Sequence, residues 1–135
     1  MNIIKKFENQ RDKEKENEMS QARDMASIAV KAIDDKLGKE IKVIDIANVS
    51  VVADYFIIAS GANKNQVQAI VENVEDELAK AGHHPKQVEG YQTANWILLD
   101  YGDIIIHIFD EESRLFYDIE RIWRDGQDVD VQELL

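Results

Sequence analysis

Residues 96–109, WILLDYGDIIIHIF, constrain the fold more than any other stretch of this chain. Two strand-sized apolar runs, 96–101 and 104–109, meet at Gly102-Asp103, a two-residue link that reads as a β-hairpin turn. Side chains alternate along a strand. Trp96, Leu98 and Asp100 therefore point one way, and Ile97, Leu99 and Tyr101 the other. On the second strand Ile105, His107 and Phe109 share a face, opposite Ile104, Ile106 and Ile108. Both faces of the hairpin are apolar. If helices cover one of them, the other still holds large groups that need a cover.

The rest of the chain supplies helices and further strands. Ala22, Met25, Ala26, Ala29, Ile33 and Leu37 recur at spacings of three and four, which predicts a helix with Ser20 as its N-cap and Gly38 as its stop. Residues 41–46, IKVIDI, read as a strand, 48–52 as a connection, and 54–60, DYFIIAS, as a strand buried on both faces. Asn63 is the expected N-cap of a second helix, with Gln66 in the reciprocal capping position and Val67, Ile70, Val71, Val74 and Leu78 as its stripe. Gly82 ends it and Pro85 blocks its resumption. A short strand at 86–90 precedes the hairpin. After it, Asp110, Glu111 and Glu112 open a last helix with Leu115, Ile119 and Ile122 on one side and Gly126 at its end. The order is helix, strand, strand, helix, three strands, helix. That predicts an α/β (α+β) domain, a mixed β-sheet flanked by helices. Residues 1–19 are a charged N-terminal extension, 20–126 the domain, and 127–135 an acidic C-terminal tail.

At 135 residues one domain is expected. Cysteine is absent, so thiol chemistry and Cys-based zinc sites are excluded. No run approaches the ~18 apolar residues that span a bilayer. The polar segment 8–18 lacks the apolar core of a signal peptide and is too acidic for a transit peptide. The formal net charge is −11, and residues 89–135 hold 3 basic against 12 acidic side chains. Such a surface repels a phosphate backbone, which argues against direct nucleic-acid binding. It suits a basic protein partner, or serves solubility alone.

Catalytic constellations are weak. Asp100 and Asp103 could hold a divalent metal or divide acid and base roles, but they flank a turn where Asp is common for backbone reasons. His83 and His84 follow a helix end and read as loop residues, while His107 reads as a sheet-face residue with a hydrogen-bond partner. No metal-ligand spacing joins them. Ser60-Gly61 ahead of a helix could bind a phosphate, yet no GxGxxG or P-loop lysine accompanies it. The stronger candidate is a surface. Trp96 and its neighbours form an apolar patch among acids, the usual mark of an interface, with Trp and Tyr as common anchors. The other reading buries Trp96 in the core beneath the last helix.

Four segments carry a resemblance: VIDIANVSVVADYFIIASG (43–61), QVQAIVENVEDEL (66–78), EGYQTANWILLDYGDIIIHIF (89–109) and ESRLFYDIERIW (112–123). They closely resemble the Iojap family, the ribosomal silencing factors, over about residues 20–125. The resemblance implies a nucleotidyltransferase-like fold without the catalytic pattern: the turn reads Ser60-Gly61-Ala62, and no Asp-x-Asp follows the 63–81 helix. It implies a non-catalytic protein without a cofactor. Its partner would be the large ribosomal subunit, bound through a basic ribosomal protein at the subunit interface (large-subunit protein fourteen). Occupying that site would block joining of the small subunit and repress translation when nutrients are short. Organellar relatives act in large-subunit assembly, which is the alternative role; a residual nucleotide-binding protein is a more distant one. The expected partner-binding residues are Trp96, Leu98, Asp100, Tyr101, Asp103, His107 and Phe109, with Tyr117, Glu120 and Arg121 matching further family positions. Family members also dimerise, and the same apolar face would suit a homodimer. A small single domain without a transit peptide points to the bacterial cytoplasm.

Overall fold

A computed structural model describes residues 3–119, 121 and 124–135. The elements are α1 (Ile3–Asp35), β1 (Lys39–Asp45), β2 (Tyr55–Gly61), α2 (Lys64–Lys80), β3 (Gln87–Glu89), β4 (Trp96–Asp100), β5 (Ile104–Asp110), α3 (Glu111–Tyr117) and β6 (Gln127–Val129). A short 3-10 turn, Val131–Glu133, closes the described chain. The strands form one sheet in the order β3-β4-β5-β2-β1-β6. β2 and β5 pair in parallel, and the other neighbours are antiparallel. The α/β (α+β) expectation of a mixed sheet flanked by helices holds.

α1 and α2 cover one face. Ala22, Met25, Ala26, Ala29 and Ile33 of α1 and Val67, Ile70, Val71, Val74 and Leu78 of α2 meet Ile57, Ala59, Ile97, Leu99, Ile104, Ile106 and Ile108 from the sheet. All seven residues of β2 are buried, because the second face carries its own cluster: Ile44, Ile46, Ala53, Phe56, Ile58, Phe109 and Ile119. The hairpin closes as expected, with the Tyr101 N–H donating to the Ile104 carbonyl at 3.0 Å and Gly102 at φ +85°.

Four expectations are corrected. α1 begins at Ile3, and Ser20 lies exposed inside it rather than capping it. Lys, Glu, Gln and Arg before Ser20 are good helix formers, and no Gly or Pro interrupts them. The helix is thus about 50 Å long, and its packed half starts near Ala22. Leu37, expected on the stripe, is 76 % exposed, because it takes a left-handed conformation at φ 60° one residue ahead of Gly38. α3 stops at Tyr117, since Asp118 is left-handed at φ 45°. It turns Arg114 inward and leaves Leu115 83 % exposed; Ile119 is buried beyond the helix, and Ile122 lies outside the described residues. Residues 127–135 were set apart as an acidic tail. Instead β6 pairs with β1, and Leu134 packs into the main core beside α1. Val129, Val131 and Leu134 give that segment an apolar side which its charge obscures.

Candidate functional site

The second sheet face is covered unevenly. α3 and Ile119 lie over its middle, and the β4 side is left open. Along β4 the burial alternates, with Ile97 and Leu99 in the core and Trp96, Leu98 and Asp100 half-buried. Trp96 sits opposite Phe109, Leu98 opposite His107 and Asp100 opposite Ile105. The Trp96 ring stacks on Phe109 at 5.3 Å between centroids and meets Tyr117 of α3 at 5.0 Å. Trp96 is half-buried: Tyr117 of α3, Phe109 and His107 each cover part of the indole.

Of the seven expected partner-binding residues, Trp96, Leu98, Asp100 and Asp103 are half-exposed along β4 and its hairpin turn. The other three are not at the surface. Phe109 is fully buried and supports the indole from below. His107 is 5 % exposed and packs against Phe56 at 4.5 Å. Burial pushes its imidazole pKa down to about 4, so the ring is neutral. Tyr101 is corrected outright: alternation puts it on the helix-covered face, 5 % exposed, with no hydrogen-bond partner for its hydroxyl among the described residues. Burial first, and then the Glu75 charge, push that phenol up to about 12. Among the family-matching positions on the last helix, Tyr117 is half-exposed against Trp96, Arg121 is exposed, and Glu120 lies outside the described residues.

In the hairpin, Asp100 uses its carboxylate and Asp103 its main-chain carbonyl to hold backbone N–H groups. Asp100 Oδ1 accepts from the Gly102 N–H at 2.8 Å, and the Asp103 carbonyl accepts from the Asp54 and Tyr55 N–H groups at 2.8 and 3.3 Å. Among the described residues no three His, Asp or Glu side chains gather as a metal site. His83 and His84 lie in the loop after α2, away from secondary structure.

Ser60 and Gly61 lead into α2, whose N-cap Asn63 accepts from the Gln66 N–H at 2.9 Å. The Gln66 amide reaches back to the Ala62 N–H at 2.6 Å, one residue beyond the expected capping position. It also donates to the Lys36 and Leu37 carbonyls at 3.2 and 3.1 Å, which ties the end of α1 to the start of α2. Ser60 lines an open cleft of about 600 Å³ with Lys39, Glu40, Glu111, Arg114, Leu115 and Asp118. Three carboxylates there stand against two cations, an unfavourable lining for phosphate. Arg114 is 8 % exposed and uses the same nitrogen on the Glu40 carbonyl at 2.6 Å and Ser60 Oγ at 3.0 Å. It braces the irregular start of β1, where Glu40 sits at φ 50°.

Sequence reasoning passed over one exposed group. The 48–52 connection is a loop as expected, but Val49, Val51 and Val52 in it are exposed. The signal was an apolar run, VSVV, inside a connection.

These elements make a mixed-sheet α/β domain with an aromatic face half covered by α3. The chain belongs to the ribosomal silencing factors: residues 19–135 match the family described as "Ribosomal silencing factor during starvation". It is 32 % identical over 112 residues to ribosomal silencing factor RsfS of Halalkalibacterium halodurans, covering 83 % of this chain and 96 % of that one. It is 38 % identical over 104 residues to the Bacillus subtilis protein of the same name, covering 77 % and 88 %. A crystal structure of a Chromobacterium violaceum protein superposes with a TM-score of 0.72 at 31 % identity, covering 78 % of this chain and 88 % of that one.

Proposed function

We propose that this chain binds the large ribosomal subunit through a basic ribosomal protein at the subunit interface, large-subunit protein fourteen. There it blocks joining of the small subunit and lowers translation when nutrients are short. One observation carries the reading: Trp96, Leu98, Asp100 and Asp103 form a half-exposed aromatic and acidic strip on a chain of net charge −11. A basic partner is drawn in by the charge and held by a few desolvated anchors. The mechanism is steric. A bound body of 15.5 kDa fills space that the small subunit needs, so the role requires no bond-making step and no cofactor. The chain works in the bacterial cytoplasm, where its target is. No helix among the described residues is long and apolar enough to cross a membrane.

Sedimentation with purified ribosomal subunits tests the proposal. Co-migration with large subunits, together with loss of whole ribosomes when small subunits are added, is the expected result. Binding without loss of joining removes the steric part and favours a role in large-subunit assembly. A homodimer closing over the same strip would compete, so affinity should fall as protein concentration drives self-association.

A further inference from the structure

The loop between β1 and β2 holds three valines in water. Val49 is 46 % exposed, Val52 60 %, and Val51 wholly so. The loop is nonetheless a built turn. The Val49 and Ser50 N–H groups both donate to the Ile46 carbonyl, at 3.0 and 2.9 Å, and the Val52 N–H donates to Ser50 Oγ at 3.0 Å. The Ala47 N–H donates to Asp45 Oδ1 at 3.0 Å, and the Ile46 N–H closes the base on the Asp54 carbonyl at 2.9 Å. The bonds from Asp54 and Tyr55 to the Asp103 carbonyl, 2.8 and 3.3 Å, fasten this turn to the β4–β5 hairpin. The valines thus stand at the same end of the sheet as Asp100, Asp103 and half-buried Ile105.

We propose that the β1–β2 turn, with Val51 and Val52 at its tip, is a second docking element that seats an apolar side chain of a basic protein. Asp45, Asp100 and Asp103 at the same end of the sheet face that protein's lysines and arginines. The inference rests on the function proposed above and extends its surface beyond β4 to a part of the chain with no aromatic residue. Charge selects the partner class. Among the described residues, Lys86 over Gly102 and Arg124 ahead of β6 are outnumbered at this end of the sheet by the carboxylates of Asp45, Asp100 and Asp103. These carboxylates repel phosphate, and valine offers no face on which a base can stack. The hydrogen-bonded turn also presents its valines already ordered, which lowers the entropy lost on binding.

The test compares wild type with the Val51→Ser/Val52→Ser double variant for affinity to purified large ribosomal subunits. Leu115→Ser, an exposed site on the opposite end of the second face, is the control. Both variants should keep the wild-type melting temperature, because the altered side chains are exposed. The expected result is a loss of about fivefold or more for the loop variant and none for the control. Undiminished binding by the loop variant overturns this inference and leaves the proposed function standing. Failure of wild type to bind large subunits overturns both. A photo-activatable side chain introduced at Val51 should label a ribosomal protein; labelling of RNA alone overturns the choice of partner.

Discussion

The indole N–H of Trp96 donates to Nδ1 of His107 at 2.7 Å, diagonally across the β4–β5 pair. An Nδ1 that accepts a hydrogen bond carries no proton, so the bond requires the neutral imidazole. The half-exposed indole is therefore anchored from beneath by a buried histidine that has to stay uncharged.

Stability should follow that requirement. Burial lowers the His107 pKa from 6.5 to about 4 in the folded chain. Between those values the unfolded chain binds more protons than the folded one. Stability is then intact above the unfolded pKa and falls as pH drops toward the folded value. The full span is worth on the order of 3 kcal/mol. His107→Gln should be less stable than wild type at pH 7, and its denaturant midpoint should fall less steeply between pH 6.5 and 4. Parallel curves for the two proteins would show that His107 does not titrate in this window.

Tyr101 makes a prediction of the opposite sign. Its hydroxyl is buried without a partner among the described residues, so Tyr101→Phe removes an unsatisfied polar group while keeping the ring. Thermal unfolding should show a gain of about 1 kcal/mol. Affinity for large ribosomal subunits should not change, because the ring lies on the helix-covered face. A drop in affinity would return Tyr101 to the docking surface.

These two residues show what the sequence could and could not tell. Alternation along β4 and β5 was legible, because one period of two sorts every side chain to a face. It placed Tyr101 inside even while the family motif drew it into the expected site. His107 and Phe109 were sorted to the correct face, but exposure depends on what lies above. His107 is covered by Phe56 and Trp96, and Phe109 by Trp96 and Tyr117, with Ile119 in the same cluster just past a helix that ends early because Asp118 turns left-handed. The spacing of Leu115, Ile119 and Ile122 suggested one longer helix, and no pattern in one segment reports a backbone reversal imposed by packing elsewhere. The segment at 127–135 failed for a related reason. Its acids dominate the composition, whereas the partner of β6 is β1, more than 80 residues away in sequence.

Arg114 should resist conservative replacement. Its guanidinium bridges the Glu40 carbonyl and Ser60 Oγ across two strands, from a position 8 % exposed. A lysine ammonium is more strongly hydrated than a guanidinium and therefore costlier to bury at this site. Arg114→Lys should lower stability by about 2 kcal/mol, read from urea unfolding, and should loosen amide protection in β1 near Glu40. Unchanged protection at Glu40 would mean that the irregular start of β1 holds itself.

The two long helices end in the same motif with different residues at the left-handed position, and this gives the last prediction. After α2, Gly82 is left-handed at φ 89°, with the Gly82 N–H donating to the Ala79 carbonyl at 2.9 Å and the His83 N–H to Leu78 at 2.8 Å. After α1, Leu37 takes that place at φ 60°, with its N–H on the Asp34 carbonyl at 2.9 Å and the Gly38 N–H on Ile33 at 2.9 Å. A side chain in the left-handed region costs about 1 kcal/mol. Leu37 gains little in return, since it is 76 % exposed. Gly38 is held by space instead: a Cβ there would meet Ile33 Cγ2 at 2.3 Å and the Ile33 carbonyl at 3.1 Å. Leu37→Gly should therefore raise stability by about 1 kcal/mol. Gly38→Ala, the milder change by side-chain size, should lower it by about 2 kcal/mol or more, because buried Ile33 has to move. Thermal melts of the two variants decide the matter. A loss on Leu37→Gly would mean that the leucine packs in solution, and a neutral Gly38→Ala would mean that Ile33 can yield.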